Sequence, residues 1–325
     1  MLLAGDLGAT NTRLGLFKRY TPRPTEIVTR DFQTSSYPGL GAMIEEFLIG
    51  SGNNASDIEA ACVGVAGPVI DQRVYPTNID WIVDRDEVVR HTGVHSLYLL
   101  NDVEAMAYAV AALQRDELKV LQEGSRNPTG NGALLTAGTG LGEGMLIHVA
   151  GRWQPSPSEG GHTDFAARTP REIELLQWLT AEYGRAHTEH IVSGPGLVNV
   201  ARFTSQGRSK VINEATDPAD LPQRVTQAAL DKTCPYCVEA LELFLGVYGA
   251  ASGNLAMTCM ATGGVYLGGG IPPKILPAFD SDAFMSAFRA KAPMEDLMRS
   301  IPVMIILNKQ AGLLGAAVYA SQMPR

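Results

Sequence analysis

Three glycine-rich turns, each next to a short apolar run, constrain this chain more than any other feature of its sequence. They occupy residues 6–10, 137–142 and 263–270 of the 325. Glycine has no Cβ, so a turn built from it can present backbone N–H donors at close range to phosphate oxygens. One such turn alone predicts only a tight hairpin. Three of them together predict a site for a phosphate-bearing molecule.

Two common nucleotide-binding motifs are absent from the sequence. No Gly-x-x-x-x-Gly-Lys-Ser/Thr segment occurs, and the glycine clusters do not satisfy Gly-x-Gly-x-x-Gly. The sequence therefore excludes a P-loop protein and a Rossmann dinucleotide fold. Thr10 and Thr139 add hydroxyl groups to the turns, which suits a triphosphate.

Hydrophobic periodicity predicts a mixed α/β chain. Residues 1–17 read as strand, turn and strand, and short apolar runs follow at 61–67 and 97–100. The spacing then becomes helical from Val103 to about Leu113, with Asn101 and Asp102 where a helix start needs a side-chain oxygen. A second hairpin interrupted by glycines begins at Ala133, which predicts a second lobe that repeats the strand-turn-strand pattern of the first.

The length of the chain suits two lobes better than one core. We place a small α/β domain at residues 1–108 plus 305–325, where the last predicted helix returns to the first lobe. A large α/β domain then covers residues 109–304. Thr169-Pro170-Arg171-Glu172 predicts the start of a helix in the large domain, because it forms a capping box with proline in the first turn.

Charge and composition limit the partners and the compartment. A net charge of -8 provides no basic surface for a nucleic acid backbone, so small solutes are the expected ligands. Residues 243–273 carry no charge, but their glycines predict a buried helix and a buried strand rather than a membrane span. Residues 1–6 do not read as a signal peptide, and we expect a cytoplasmic protein.

Four cysteines are too few to crosslink a chain of this size, which favours a reducing compartment. Cys234 and Cys237 form a Cys-x-x-Cys pair. Neither a thioredoxin-like context nor two further zinc ligands accompany them. We interpret them as two ordinary thiols near the start of a helix.

Several motifs resemble one known family over nearly the whole chain. The turns at 5–11, 135–140 and 263–270 resemble the phosphate and adenosine motifs of the sugar kinase, Hsp70 and actin ATPase superfamily. Within it, residues 101–102, 158–162 and 189–196 resemble the bacterial glucokinase family. Ala9 departs from the pattern, since many members have glycine there. The cysteine-rich zinc motif of the repressor, open reading frame and kinase (ROK) family is missing.

The resemblance implies a two-lobed actin-like ATPase (ribonuclease H-like) fold, with a sugar and ATP cleft between a smaller and a larger α/β domain. It implies ATP and Mg²⁺ as cofactors, with Asp6 as the partner of Mg²⁺ through water. The nucleotide-contacting residues that it suggests are Asp6, Gly8, Ala9, Thr10, Asn11, Gly138, Thr139, Gly140, Gly263, Gly264 and Gly269.

The resemblance also suggests which residues hold the sugar: Asn101, Asp102, Glu159, His162 and Glu189. Carboxylates, an amide and an imidazole can both accept and donate hydrogen bonds around a ring of hydroxyls. Asp102 would take the proton of the glucose 6-hydroxyl. Taken singly, these residues also fit helix capping, ordinary surface carboxylates and a loop histidine. A metal site at His162 is disfavoured, since no supporting ligand pattern is present.

The function implied by the family is phosphorylation of glucose by ATP to glucose 6-phosphate, the first step of glycolysis, by a homodimer. Two alternatives stay open. A non-catalytic sugar sensor would usually carry an added DNA-binding module, which the sequence does not show. A chaperone-like or filament-forming ATPase of the superfamily would lack the cluster of Glu159, His162 and Glu189.

Overall fold

The computed structural model describes residues 1–76 and 79–324, which form two compact units. The first unit comprises Met1–Glu117, Trp153–Pro157 and Asn308–Arg325, and the second comprises Leu118–Arg152 and Ser158–Leu307. Residues 77, 78 and 325, which fall in the small domain predicted from the sequence, lie outside the described residues.

The first unit is built on a five-stranded sheet of order β3-β2-β1-β4-β7, with a separate two-stranded sheet of β5 and β6. Strands β1, β4 and β7 run parallel, whereas β2 and β3 form antiparallel hairpins beside β1. In chain order its elements are β1 (Leu2–Leu7), β2 (Asn11–Lys18), β3 (Thr25–Gln33), α1 (Leu40–Gly50), β4 (Ala60–Val65), β5 (Arg73–Val74), β6 (Val83–Asp84), α2 (Arg85–Thr92), β7 (Leu97–Asn101) and α3 (Asp102–Ala109).

The central strands of the first unit's sheet are buried on both faces, whereas the edge strand β3 is mostly exposed. Strands β1 and β4 are almost wholly apolar and buried, as expected for central parallel strands. Side chains of α1 and α2 pack on one face, and α3 packs on the other together with the last helix of the chain. The parallel strands therefore end at one edge of a rigid sheet.

The second unit contains the strand order β10-β9-β12-β13-β8. Residues 153–157 of β11 are grouped with the first unit, and the chain ends there in α11. The remaining elements are β8 (Leu118–Gln122), β9 (Gly132–Ala137), β10 (Leu141–Val149), β11 (Arg152–Ser158), α4 (Pro170–Tyr183), α5 (Gly194–Ser205), α6 (Lys210–Asn213), α7 (Leu221–Leu230), α8 (Pro235–Thr258), β12 (Gly264–Gly268), α9 (Ala283–Arg289), α10 (Glu295–Ser300), β13 (Val303–Ile306) and α11 (Ala311–Gln322).

Several local predictions are confirmed. The uncharged stretch is the C-terminal part of α8 followed by the fully buried strand β12. Helix α4 begins at Pro170, and the Thr169 side chain accepts a hydrogen bond from the Glu172 amide at 3.2 Å. The Glu172 carboxylate accepts instead from the Arg168 amide at 2.7 Å, so only the first half of the predicted capping box forms. Among residues 1–76 and 79–324, no helix combines the length and apolarity that a membrane crossing requires. All four cysteines are buried free thiols.

Candidate active site

In the first unit, the predicted residues gather where the parallel strands end. The registers pair Leu7 with Val65 and Val65 with Asn101, so the ends of β1, β4 and β7 are level. The Asn101 side chain donates a hydrogen bond to the Gly67 carbonyl at 3.0 Å, which joins the ends of β4 and β7. Ligands of open α/β sheets characteristically bind beyond such carboxyl ends.

Asp6 lies one residue before the end of β1. Burial raises the pKa of its carboxyl group, and the positive charge of Arg13 on the neighbouring strand partly counteracts this. Arg13 itself forms a two-point ion pair with Asp31. The Asp6 carboxylate is therefore held in an environment that would favour a cation beside it.

The first turn of α11 approaches Asp6 closely. A methyl group built on Gly312 would come within 2.8 Å of Asp6 Oδ2, so only glycine leaves room for the carboxylate. The partial positive charge at the start of this 12-residue helix favours the ionised form of Asp6. This role could not be predicted from the sequence, because Gly312 reads as an ordinary helical residue.

The turn between β1 and β2 holds Gly8, Ala9, Thr10 and Asn11. The Gly8 amide donates to the Asn11 carbonyl at 3.1 Å. The Thr34 hydroxyl donates to the Gly8 carbonyl and the Thr34 amide to the Thr10 carbonyl, which stabilises the turn. Ala9 does not adopt a positive φ. The methyl group that departs from the family pattern is therefore tolerated without strain in this turn.

Asn101 and Asp102 lie at the junction of β7 and α3. Asn101 is the N-cap of α3, and its Oδ1 accepts from the amides of Val103 at 2.9 Å and Glu104 at 3.3 Å. Asp102 is the first residue of the helix, and its Oδ1 also accepts from the Val103 amide at 2.9 Å. Capping thus fixes Asn101 and orients the Asp102 carboxylate, so helix capping and a role in the sugar site are compatible for this pair.

In the second unit, two of the three predicted glycine turns meet at one sheet edge. Strands β9 and β12 are parallel, so Gly138, Thr139 and Gly140 follow one strand where Gly269 follows the other. The Ile271 amide donates to the Ala137 carbonyl at 3.0 Å, which joins the two strand ends. This edge carries a second set of backbone turns suited to phosphate oxygens.

Gly263 and Gly264 are not brought to that edge. Gly263 precedes β12 and Gly264 is its first residue, and the register pairs Gly264 with Gly132 at the start of β9. Gly269 follows five positions after Gly264, which is about 16 Å along a strand at 3.3 Å per residue. The Gly263 amide donates to the Asn131 carbonyl at 2.7 Å. The Gly263-Gly264 pair thus lies at the start of β12, whereas Gly269 follows its end. The glycines of the 263–270 motif are therefore divided between the two ends of one strand.

Glu159, His162 and Glu189 come together in the second unit. His162 Nε2 lies 3.9 Å from Glu159 Oε2, and His162 Nδ1 lies 3.9 Å from Glu189 Oε1. The Leu141 amide donates to Glu189 Oε2 at 2.8 Å, so Glu189 is anchored to the chain just after the Gly138–Gly140 turn. An imidazole between two carboxylates offers several donors and acceptors to a polyhydroxyl ligand.

A row of aromatic rings in contact lies behind His162 and was not expected from the sequence. The ring of His162 is 5.1 Å from that of His187, which is 3.6 Å from His190, and His190 stacks on Tyr183 at 4.4 Å. Burial lowers the pKa values of His187 and His190. Closely spaced histidines at residues 187 and 190 were the only available signal.

Sequence reasoning also missed Glu143, a buried carboxyl group on β10. The signal was a single charged residue inside the otherwise uncharged run 141–147. Among residues 1–76 and 79–324, no group of three or more His, Cys, Asp or Glu side chains is arranged to hold a metal ion. Any cation here would depend on few protein ligands.

Comparison with known proteins decides the family. The family model described as Glucokinase matches residues 3–323. The chain belongs to the glucokinase family. It is 37% identical to a glucokinase of Synechocystis sp. over 98% of each chain. Its fold matches a crystal structure of a glucokinase from an Antarctic psychrotroph with a TM-score of 0.85 and 27% identity, over 99% of each chain.

The same fold is found in a more distant kinase. The model matches a ROK family glucokinase from Streptomyces griseus, solved with glucose and AMPPNP, with a TM-score of 0.67 and 22% identity over 99% of each chain. The actin-like ATPase fold class expected from the sequence is thus confirmed, as is the resemblance to bacterial glucokinases.

Proposed function

We propose that this chain transfers the γ-phosphoryl group of ATP to the 6-hydroxyl of glucose, giving glucose 6-phosphate as the first step of glycolysis. The observation that carries the proposal is the glucokinase family match over residues 3–323. The clustering of Glu159, His162 and Glu189 supports it, because that cluster suits a hexose. AMPPNP, found with glucose in the Streptomyces griseus enzyme, is an ATP analogue, which supports ATP as the donor.

Asp102 is the proposed general base. It would accept the proton of the glucose 6-hydroxyl as that oxygen attacks the γ-phosphorus. Because the transition state of phosphoryl transfer is loose, the proton leaves late and orientation matters more than base strength. The hydrogen bond from the Val103 amide and the helix start at Asn101 support such a fixed orientation. Asn101, Glu159, His162 and Glu189 would hold the sugar hydroxyls.

The nucleotide contacts are proposed for the turns. The amides of Gly8, Ala9 and Thr10, with the side chains of Thr10 and Asn11, would bind phosphate oxygens from the first unit. Gly138, Thr139, Gly140 and Gly269 would do so from the second. Gly263 and Gly264 are left out of this set because they lie at the opposite end of β12.

Mg²⁺ is proposed to bind beside Asp6 through water. Mg²⁺ in nucleotide sites typically takes one or two carboxylates, keeps several waters and uses substrate phosphates as ligands. A single buried carboxylate, with glycine at position 312 leaving room for it, fits that pattern. When bound, the ion would neutralise phosphate charge, and the Asp6 carboxylate would hold it.

Three further features remain proposals. We keep the division into a small domain, 1–108 plus 305–325, and a large domain, 109–304, and the two compact units support it. Buried free cysteines are compatible with a cytoplasmic location. A homodimer is inferred from the family resemblance alone, and sedimentation velocity would test it.

The test is a coupled assay of ADP release with ATP and Mg²⁺ over glucose, mannose, fructose and N-acetylglucosamine. We expect turnover that depends on glucose and falls by several orders of magnitude in Asp102→Asn. Glucose binding without turnover of any sugar would instead support the non-catalytic sensor. ATP hydrolysis that ignores every sugar would favour another ATPase of the superfamily.

A further inference from the structure

Glu143 is a buried carboxyl group to which the proposed reaction gives no role. It lies on β10, three residues after the Gly138–Gly140 turn, and only 8% of it is exposed. Buried carboxyl groups are rare in proteins unless they are paired or functional. The residues in contact with Glu143 therefore indicate its role.

Glu143 lies beneath the sugar loop, which we define as residues 158–162. A methyl group built on Gly160 would overlap Glu143 Oε2, so the glycine backbone rests directly on the carboxyl group. The Ser158 hydroxyl donates to the Glu143 carbonyl at 3.1 Å and accepts from the Gly160 amide at 3.2 Å. Main chain and side chain of Glu143 thus both support the loop that carries Glu159 and His162.

A cavity of about 500 Å³ opens beside this contact. Its walls include Glu143, Gly160 and, from α8, Val247 and Leu255. The other charged side chains that line it, Glu159 and Asp164, are both acidic. Burial, and then the charge of Glu143, raise the pKa of the Tyr248 phenol on α8. Among the residues that the structure describes, no basic side chain lines this cavity. The cavity gives protons access to Glu143, and its surroundings disfavour a negative charge there.

The electrostatics agree with the packing. Burial raises the pKa of Glu143 to about 7, so the group changes charge near neutral pH. Since the folded pKa is raised, the stability that the neutral form contributes is present at low pH and is lost as the pH rises through about 7. Ionisation would place a charge in an apolar wall and draw water under Gly160.

We propose that Glu143 is a positioning residue that holds the sugar loop from beneath, and that its neutral form is the one that supports glucose binding. The proposal rests on the proposed function, since it takes Glu159 and His162 to hold the hexose. Glu143 acts through the loop and touches no reacting atom. Its effect falls on the apparent affinity for glucose, and the rate at saturating glucose stays unchanged.

The test compares the glucose KM and kcat of the wild type, Glu143→Gln and Glu143→Leu at pH 6 and pH 8. Glu182→Gln, an exposed site on α4, is the matched control. We expect KM in the wild type to rise with pH at least threefold more than in either Glu143 variant, with kcat changing in parallel in all proteins. Comparing ratios removes the contribution of other groups that all four proteins share.

Hydrogen exchange of residues 158–163 in the protein without ligand gives a readout that does not depend on activity. Loop exchange, corrected for intrinsic rates, should be faster in the wild type than in Glu143→Gln at pH 8 and equal at pH 6. Equal KM ratios together with equal exchange would overturn the proposal. If no sugar is turned over, the proposed function fails, and the exchange result alone decides the role of Glu143.

Discussion

The two units hold their chemistry on different kinds of structure. In the first, Asp6, Asn101 and Asp102 lie at strand ends and at a helix start, where the backbone is fixed by the sheet. In the second, Glu159, His162 and Glu189 lie at short 3₁₀ turns in the connections after β11 and α4, outside the regular strands and helices. Groups that must be precisely aligned for reaction belong on rigid elements, whereas loops can adapt to a ligand.

This difference leads to a division of effects. Substitutions of Asp6 and Asp102, the acidic candidate groups of the first unit, should lower kcat, because they disturb the reacting groups or the phosphate charge. Only the cluster of Glu159, His162 and Glu189 is compared with them from the second unit. Substitutions in the second should raise the glucose KM, because they disturb contacts with the sugar. The predictions below, from the largest effect to the smallest, would sharpen this comparison or break it.

Asp102→Asn should cause the largest loss. Removing the base while keeping the shape should lower kcat by about 10³-fold, within the 10²–10⁴ range of general-base catalysis. Glucose affinity, measured by calorimetry, should change little. Glu104→Gln on the same helix is the control, since its charge acts on Cys62 and Tyr319 instead. A kcat within tenfold of the wild type would remove Asp102 from the role of base.

Asp6→Asn should lower kcat by about 10²-fold, as expected for weakened electrostatic stabilisation of the phosphates. The same change should not destabilise the protein without nucleotide. Burial raises the pKa of Asp6, so its protonated carboxyl group stabilises the folded wild type at low pH. This stabilisation is lost as the pH rises through the folded pKa.

Chemical denaturation over the pH range above 3.8, the ordinary pKa of an aspartate, checks this second effect. Asp6→Asn should gain stability relative to the wild type as the pH rises, and saturating Mg²⁺ and ATP should reverse the order. Asp116→Asn, at an exposed position, is the control. A large loss of stability in Asp6→Asn at every pH would show that the carboxylate has a structural role.

Glu189→Gln should raise the glucose KM by about tenfold, since a hydrogen bond to a charged group contributes about 1.5–3 kcal/mol. The amide oxygen can still accept from the Leu141 amide, so the turn should keep its shape. Steady-state kinetics beside Glu182→Gln would measure the effect. A fall in kcat with unchanged KM would contradict the division between the two units.

His187→Gln should give the smallest effect, confined to stability at acidic pH. Burial first, and then the charge of His162, lower the pKa of His187. Its stabilising contribution is therefore complete above the unfolded pKa of about 6.5 and is lost as the pH falls below it. Thermal unfolding from pH 7.5 to pH 5 should be less pH-dependent in His187→Gln than in His95→Gln, an exposed control. Equal slopes would exclude this contribution.

Much of the fold follows from local patterns in the sequence. Apolar runs gave the central strands, and capping residues gave the starts of α3 and α4, because these signals depend on near neighbours alone. The Gly263-Gly264 pair was harder to interpret. Which end of β12 a glycine occupies depends on where the strand starts, and periodicity does not determine that boundary well.

Other features of the site depend on contacts between distant segments. Gly312 meets Asp6 across 306 positions of the chain, and Glu143 meets Gly160 through the return of the loop after β11. The contacts among the rings of His162, His187 and His190 require the turn at Thr188–His190 to fold against His162. Composition and spacing carry no information about such pairings, so these residues emerged only from the structure.

The central claim is tested most directly by the stoichiometry of the products from ATP and [6-¹³C]glucose, followed by NMR. The account predicts one glucose 6-phosphate for each ADP, with phosphorus coupling at the labelled carbon. ADP without a sugar phosphate, or a phosphate on another hydroxyl, would contradict it.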